Sequence, residues 1–400
     1  MAEPLQKIIA SRYGGRNLPV ALVLPDGGRV PLSSDPEIEI VARSFRGLKA
    51  LASPALGALA RAYVSNEIDF TGSARRVLGI VETMVGDIAH GRDSLRTRFR
   101  LWRHQHRSNR ANIQYHYDVS NAFYKLWLDS RSVYSCAYFK HADDTLDDAQ
   151  AQKLDHICRK LRLAPGERFL DIGCGWGGLL FWAAQHYGVQ ASGITLSRNQ
   201  FEHVTQQIKS LGLSDRVDVR LLDYLDLPED DLYDKIASVG MFEHVGLRNL
   251  PVYFNTVRRL LKERGLFLNH GITTMDTSNR AVGLGAGEFI GRYVFPYGEL
   301  PHLHLVVHDM ADQDLEVHDV EGLRTHYAKT LGHWSDNFEA RMAEAVAAAS
   351  DRTARIWRVY LAGCAHAFEQ GWISIYQILA TKQTKPGRAV MPLTREYMYR

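Results

Sequence analysis

Arg168-Phe-Leu-Asp-Ile-Gly-Cys-Gly-Trp-Gly-Gly178 decides how this chain of 400 residues is read. An apolar run ends at Asp171 and is followed by Gly173, Gly175, Gly177 and Gly178, which predicts a strand that turns sharply into a helix starting near Leu179. Glycine is needed where the backbone takes a positive φ or where a ligand comes too close for a Cβ. The unpaired N–H groups at the start of the following helix then face whatever sits on the turn. The pattern therefore predicts a site for a nucleotide-like cofactor, without yet saying which one.

Outward from this turn, short apolar runs alternate with helical stretches. Arg168–Ile172, Gln190–Ile194, Val217–Leu222, Lys235–Val239 and Leu266–His270 read as strands, preceded by a helix from Leu146 to Leu161. Such alternation predicts an α/β fold with a doubly wound, mostly parallel sheet, whose sites lie beyond the carboxyl ends of the strands. Residues before about Gly91 carry short apolar runs broken by Pro and Gly, then a helical stretch from Val41 to Ala62, which predicts a small α+β domain. Two domains are expected, 1–110 with a basic linker and 111–400 with the cofactor site.

The chain is 46% apolar and 23% charged, an ordinary balance for a protein with a substantial core. Its N-terminus lacks the features of a signal peptide and no segment is apolar enough to span a membrane, so a cytoplasmic or peripheral location is expected. Cys136, Cys158, Cys174 and Cys364 form no CxxC pair, which predicts neither a disulfide framework nor cysteine-held zinc. Between Arg92 and Arg110 stand seven arginines and two histidines against the single acid Asp93. This segment reads either as a solvated helix or as a surface for anions, and the interleaved Phe99, Leu101 and Trp102 favour a membrane surface over nucleic acid.

Gly173-x-Gly175-x-x-Gly178 also satisfies a dinucleotide fingerprint, which alone is weak. That reading wants an acid about 20 residues further on to hold a ribose, yet the second strand ends Gly193-Ile-Thr-Leu-Ser197. Asp171-x-Gly173-x-Gly175-x-Gly177 instead resembles the first motif of class I S-adenosylmethionine-dependent methyltransferases. Together with Tyr115-His-Tyr-Asp118, Tyr134-Ser-Cys-Ala-Tyr-Phe139, Gly193-Ile-Thr-Leu-Ser197 with Gln200, Gly240-Met-Phe-Glu-His-Val-Gly246 and Phe295-Pro-x-Gly-Glu-Leu-Pro301, it resembles the cyclopropane-fatty-acyl-phospholipid synthase family from about Asn112 to Gln377. The region around Ala62–Phe70 resembles the extra domain of bacterial members less distinctly.

The resemblance implies a seven-stranded methyltransferase sheet that binds S-adenosyl-L-methionine. It implies Tyr134 and Ser135 near the methionine moiety, Gly173 and Gly175 lining it through backbone, Thr195, Leu196 and Gln200 on the ribose and adenosine side, Asp223 and Tyr224 flanking the adenine, and Asp171, Trp176 and Gly177 as further cofactor-binding residues. It further implies a bicarbonate ion held by backbone groups of Cys136 and Ile272 and by the side chains of Glu243, His270 and Tyr327. The expected substrate is an unsaturated phospholipid acyl chain reached at the inner membrane surface, and a homodimer is expected from the resemblance only. C-methylation or methylenation of such a chain, and N-methylation of an amine, are the family's other reactions.

Several of these residues have plainer readings. Glu243 and His244 would suit a helix cap, Tyr327 a core tyrosine and Cys136 a small buried hydrophobe. His302, His304 and His308 with Asp309 have poor spacing for a metal and are expected to be surface or hydrogen-bonded histidines. Trp357, Tyr360, Leu361, Cys364 and Phe368, with Trp372, Ile375 and Tyr376, read equally as core or as the wall of an acyl channel.

Overall fold

In the computed structural model, residues 17–52, 55–85, 120–279, 286–295, 298–383 and 391–399 are described. The chain divides into two compact units, Met1–Arg107 with Val282–Pro296 and Leu331–Gln370, and Ser108–Ala281 with Tyr297–Thr330 and Gly371–Arg400.

The first unit carries a four-stranded sheet of β1 (Val20–Val23), β2 (Arg29–Pro31), β3 (Ile38–Ala42) and β4 (Ile68–Phe70), in the order β2-β1-β3-β4. The helix expected over Val41–Ala62 is instead the end of β3 followed by two helices, Phe45–Leu51 and Leu56–Val64. Alternating Ile38-Glu-Ile-Val favours the strand, and Ser44 caps the first helix by accepting from Gly47 N. The expected split into 1–110 and an unbroken 111–400 also differs from the observed grouping. Helix Asp351–Glu369 packs on helix Ala74–Val85, and its buried Arg355 donates to the carbonyls of Tyr63 (2.7 Å) and Ile68 (2.9 Å). Non-local burial draws this helix to the first unit, and Trp357, Tyr360, Leu361 and Phe368 are buried in it.

The second unit is built on a seven-stranded sheet, which agrees with the fold expected from the sequence. Its strands are β5 (Arg168–Ile172), β6 (Gln190–Thr195), β7 (Val217–Leu221), β8 (Tyr233–Val239), β9 (Leu261–Thr274), β10 (Leu315–Gly322) and β11 (Ile373–Lys382), in the order β10-β11-β9-β8-β5-β6-β7. From β9 to β7 neighbouring strands are parallel, while β11 runs antiparallel to both β9 and β10. Strand residues alternate between two cores. Phe169, Ala237, Leu266 and Leu268 join helices Leu146–Lys160 and Gly178–Tyr187 on one face. Leu170, Ile236 and Phe267 join helices Leu250–Leu260 and Leu303–Asp312 on the other. β9 continues to Thr274, so His270 lies within the strand rather than at its end.

Candidate functional site

The glycine turn after β5 takes left-handed backbone at Gly173 (φ 81°), Gly175 (φ 57°) and Gly177 (φ 86°). The N–H groups of Gly173 and Cys174 both donate to Ile194 O at 3.0 Å, which ties the turn to β6. A Cβ on Gly173 would lie 2.8 Å from the Met241 side chain, so the turn also fits closely under the segment that follows β8. Over this turn opens a cavity of about 560 Å³ at the carboxyl ends of β5, β6, β7 and β8.

Tyr134, Ser135, Asp171, Gly173, Gly175, Trp176, Thr195, Leu196, Gln200, Asp223 and Tyr224 all line this cavity. Gly177 is not on the wall. It begins helix Gly178–Tyr187, and a Cβ there would lie 2.7 Å from the Phe181 ring, so packing explains the glycine. At the β6 end Thr195 Oγ1 donates to Gln200 Oε1 (2.8 Å), and Ser197 caps the next helix. Beyond β7, Tyr224 stands edge-on to Tyr253 with 5.4 Å between ring centroids. On the opposite side, Tyr124 packs on Trp176 and Tyr134 at 4.8 and 5.9 Å, and Trp176 Nε1 donates to Asn121 Oδ1 (2.8 Å).

One charged wall residue that the sequence reading missed is Lys153. Lys153 is 1% exposed, and its ammonium donates to Ser135 Oγ at 2.7 Å. Burial lowers its pKa to about 8. Burial raises Asp171 to about 7, opposed by the charge of Lys153, and Asp171 Oδ1 has no hydrogen-bond partner among the described residues. His244, also on the wall, is lowered to about 4 by burial. The available signal for Lys153 lay in helix Leu146–Lys160, where Gln150 and Lys153 fall on the apolar stripe of Leu146, Ala149, Leu154 and Ile157. Gln150 explains its own place by donating to Val133 O (3.2 Å) and Ser135 O (2.9 Å), which holds the segment that carries Tyr134.

The second expected set, Cys136, Glu243, His270, Ile272 and Tyr327, lies off the cavity wall but is linked through shared neighbours. Glu243 sits in the single turn Phe242–His244 after β8, and its Oε1 accepts from Ile272 N at 2.7 Å. His270 pairs in register with Val239 of β8 and Gln377 of β11. Gln377 Nε2 lies 3.1 Å from His270 Nδ1, which with the amide as donor leaves the proton on Nε2. The carbonyl of Leu323 accepts from Tyr327 N (3.0 Å) and lies 3.9 Å from Cys136 Sγ. Leu323 N in turn donates to Ile375 O, and Ile375 is the register partner of Ile272.

Glu243 Oε2 and His270 Nε2 of this set, and Oε1 of the neighbouring Gln377, are buried with no hydrogen-bond partner among the described residues. Buried polar groups are ordinarily paired, so such a concentration marks a place for a small polar guest. Burial raises Glu243 to about 7, against the hydrogen bond from Ile272. Burial, with the charges of Lys153 and Lys160, pushes His270 well below its ordinary range and keeps it neutral. Burial likewise pushes the Cys136 thiol up, and Cys136 Sγ donates to Ala137 O at 3.2 Å.

Elsewhere, His302 caps helix Leu303–Asp312, and His308 pairs with Asp309 and Asp312. The arginine-rich segment Arg92–Arg110 and the motif Tyr115–Asp118 lie outside the described residues.

Comparison with known proteins places this geometry in context. The family model for mycolic acid cyclopropane synthetase matches residues 104–378. A probable fatty acid methyltransferase of Pseudomonas putida is 47% identical over 384 residues, covering 96% of this chain and 97% of its own length. The cyclopropane-fatty-acyl-phospholipid synthase of Escherichia coli (strain K12) is 38% identical over 275 residues, 69% of each chain. The crystal structure of mycolic acid cyclopropane synthase CmaA1 complexed with SAH and CTAB superposes with a TM-score of 0.65 at 36% identity, covering 69% of this chain and 99% of that one.

Proposed function

The chain belongs to the mycolic acid cyclopropane synthetase family and is an S-adenosylmethionine-dependent methyltransferase, and from that premise we propose that it builds a cyclopropane ring across the cis double bond of an unsaturated phospholipid acyl chain. The observation that carries this reading is the trio of unpartnered atoms at Glu243, His270 and Gln377, beside the end of the donor cavity formed by β5 and β8.

The donor's fit rests on the chain's own residues. Left-handed Gly175 leaves open space at the turn, and Thr195, Leu196 and Gln200 face a ribose with neutral groups. Asp223 and Tyr224 border the adenine, and Tyr134, Ser135, Asp171 and Trp176 surround the amino-acid end. When bound, the sulfonium supplies an electrophilic methyl group and a bicarbonate ion supplies a base.

An isolated alkene has no proton to lose before it attacks, so its π electrons form the new C–C bond as the bond to sulfur breaks. The acyl chain is left as a carbocation, and ring closure then requires one proton to leave the newly attached methyl. That proton is strongly acidic, so a weak base held in a dry site suffices. Glu243 Oε2 is an acceptor for the O–H of bicarbonate, and the Nε2–H of neutral His270 is a donor to its oxygens. Tyr327 and the backbone of Cys136 complete the proposed cradle, together with the Ile272 N–H, which in this structure donates to Glu243 Oε1 and would have to be shared with the ion. Contact with the bilayer would be peripheral, with the arginine-rich segment Arg92–Arg110 as the proposed docking element.

A second reading, transfer of the methyl without ring closure, draws on the name of the P. putida relative. Incubation with unsaturated phosphatidylethanolamine vesicles, S-adenosylmethionine and bicarbonate, followed by proton NMR of the lipid, separates the two. Upfield ring protons are expected, together with a loss of turnover when bicarbonate is stripped from the buffer. A branched or methylene-bearing product without those protons overturns cyclopropanation.

A further inference from the structure

Lys153 is harder to explain than any other residue of the donor cavity. Its ammonium is 1% exposed and its hydrogen-bond partner is a hydroxyl, although the charges of buried Asp129 and Asp171 nearby partly favour the ammonium. A single neutral hydroxyl, Ser135 Oγ at 2.7 Å, is its hydrogen-bond partner. Burying an ammonium against one hydroxyl costs far more than that bond returns, unless an anion joins it. Asp171 poses the mirror-image problem on the same wall, 2% exposed with Oδ1 unpartnered.

Topology says which end of the donor these two face. The strands run β8-β5-β6-β7, with Thr195, Gln200, Asp223 and Tyr224 at the β6 and β7 ends and with Asp171, Gly173, Gly240 and Met241 at the β5 and β8 ends. Ser135 belongs to the latter group, since a Cβ on Gly240 would lie 3.9 Å from Ser135 Cβ. A nucleoside at β6 and β7 leaves the α-amino acid end, with its carboxylate and ammonium, over β5 and β8.

We propose that Lys153, steadied by Ser135, is the counter-charge for the α-carboxylate of the donor's methionine moiety, while Asp171 receives its α-ammonium. This rests on the reading of the cavity as the donor site. The pair thereby selects a zwitterionic amino-acid tail over a tail that carries an amine alone. Burial lowers Lys153 to about 8 and raises Asp171 to about 7, each partly opposed by the other's charge, so burial disfavours both charged forms and a zwitterion placed beside them would favour both.

Calorimetry on the full chain tests this with two thioethers, S-adenosylhomocysteine and its decarboxylated counterpart, which keeps the amine and lacks the carboxylate. The wild-type protein is expected to prefer S-adenosylhomocysteine by about tenfold or more, as for a buried charge-assisted contact. Lys153→Met should lose that preference, weakening S-adenosylhomocysteine by about tenfold and leaving the decarboxylated ligand within about twofold. Lys153→Arg, which keeps the charge, should retain part of the preference. Equal weakening of both ligands in Lys153→Met means that Lys153 only props Ser135, and overturns the proposal. Equal binding of both ligands by the wild type overturns it even where the variant does not fold. If the wild type binds neither thioether, the donor-site reading fails along with it, an outcome distinct from the other two.

Discussion

Glu243 Oε1 accepts a 2.7 Å hydrogen bond from the backbone N–H of Ile272, and its second oxygen, Oε2, is buried without a partner. A carboxylate fixed through one oxygen presents the other in a set direction. Glu243→Gln can still accept from Ile272 N–H through its carbonyl oxygen, but it turns an amide N–H₂ toward the unpartnered atoms. S-Adenosylhomocysteine affinity, measured by calorimetry, should stay within about threefold, while lipid turnover falls by roughly 10²-fold or more. Turnover at the wild-type level in a folded Glu243→Gln protein removes this carboxylate from the reaction.

The same residue sets a pH dependence. Burial raises Glu243 from 4.5 to about 7, so the folded state favours its protonated form. The stability this group lends is complete below pH 4.5, declines as pH rises through about 7, and does not fall further above that. The loss is bounded at about 3 kcal/mol. Glu243→Gln lacks this term, so its melting temperature relative to wild type should climb between pH 4.5 and 7 and then level off. A constant difference across that range contradicts the burial of a titrating carboxyl here.

His270 is fully buried and its pKa is driven well below the ordinary 6.5. It should remain a neutral imidazole with its proton on Nε2 across the range around pH 6.5 in which an ordinary histidine titrates. Nitrogen-15 NMR of labelled histidine, with His270→Gln to assign the signal, should show one imidazole that does not titrate in that range. A shift through it would mean that His270 is not a fixed donor.

Gly271 packs against the ring of Phe242, and an added Cβ would lie 2.0 Å from Phe242 Cδ1 and Cε1. Gly271→Ala must therefore move the ring or the strand, at a cost of about 1–3 kcal/mol in urea unfolding. Because Phe242 precedes Glu243 in the same turn, activity should fall together with stability. Gly175→Ala meets open space and carries only the left-handed strain of φ 57°, so its cost should be about 1 kcal/mol.

Cys136 is proposed to act through its backbone, and its side chain donates to Ala137 O. A serine hydroxyl can make the same bond, so Cys136→Ser should retain activity within about fivefold at a stability cost near 1 kcal/mol. Abolished turnover in a folded variant would give the thiol a role of its own.

The chain's local patterns determined a good deal. Apolar runs, helical periodicity and the glycines after Asp171 specify the strand, turn and helix of the donor site, because those constraints act between residues a few positions apart. They also place Thr195 at a strand end and Asp223 and Glu243 beyond theirs, since strand limits follow from the same periodicity.

Tertiary structure alone decided which of these residues meet, and in what electrical surroundings. The bond from Ile272 N–H to Glu243 depends on β8 lying beside β9, and the proton on His270 depends on Gln377 arriving antiparallel on β11. Helix Asp351–Glu369 joins the first unit through Arg355 and the carbonyls of Tyr63 and Ile68, partners 292 and 287 residues away. Lys153 reads in sequence as a polar residue on an apolar stripe. Only packing strips water from its ammonium and from Asp171, and the cost of burying a charge depends on everything around it rather than on its neighbours in the chain.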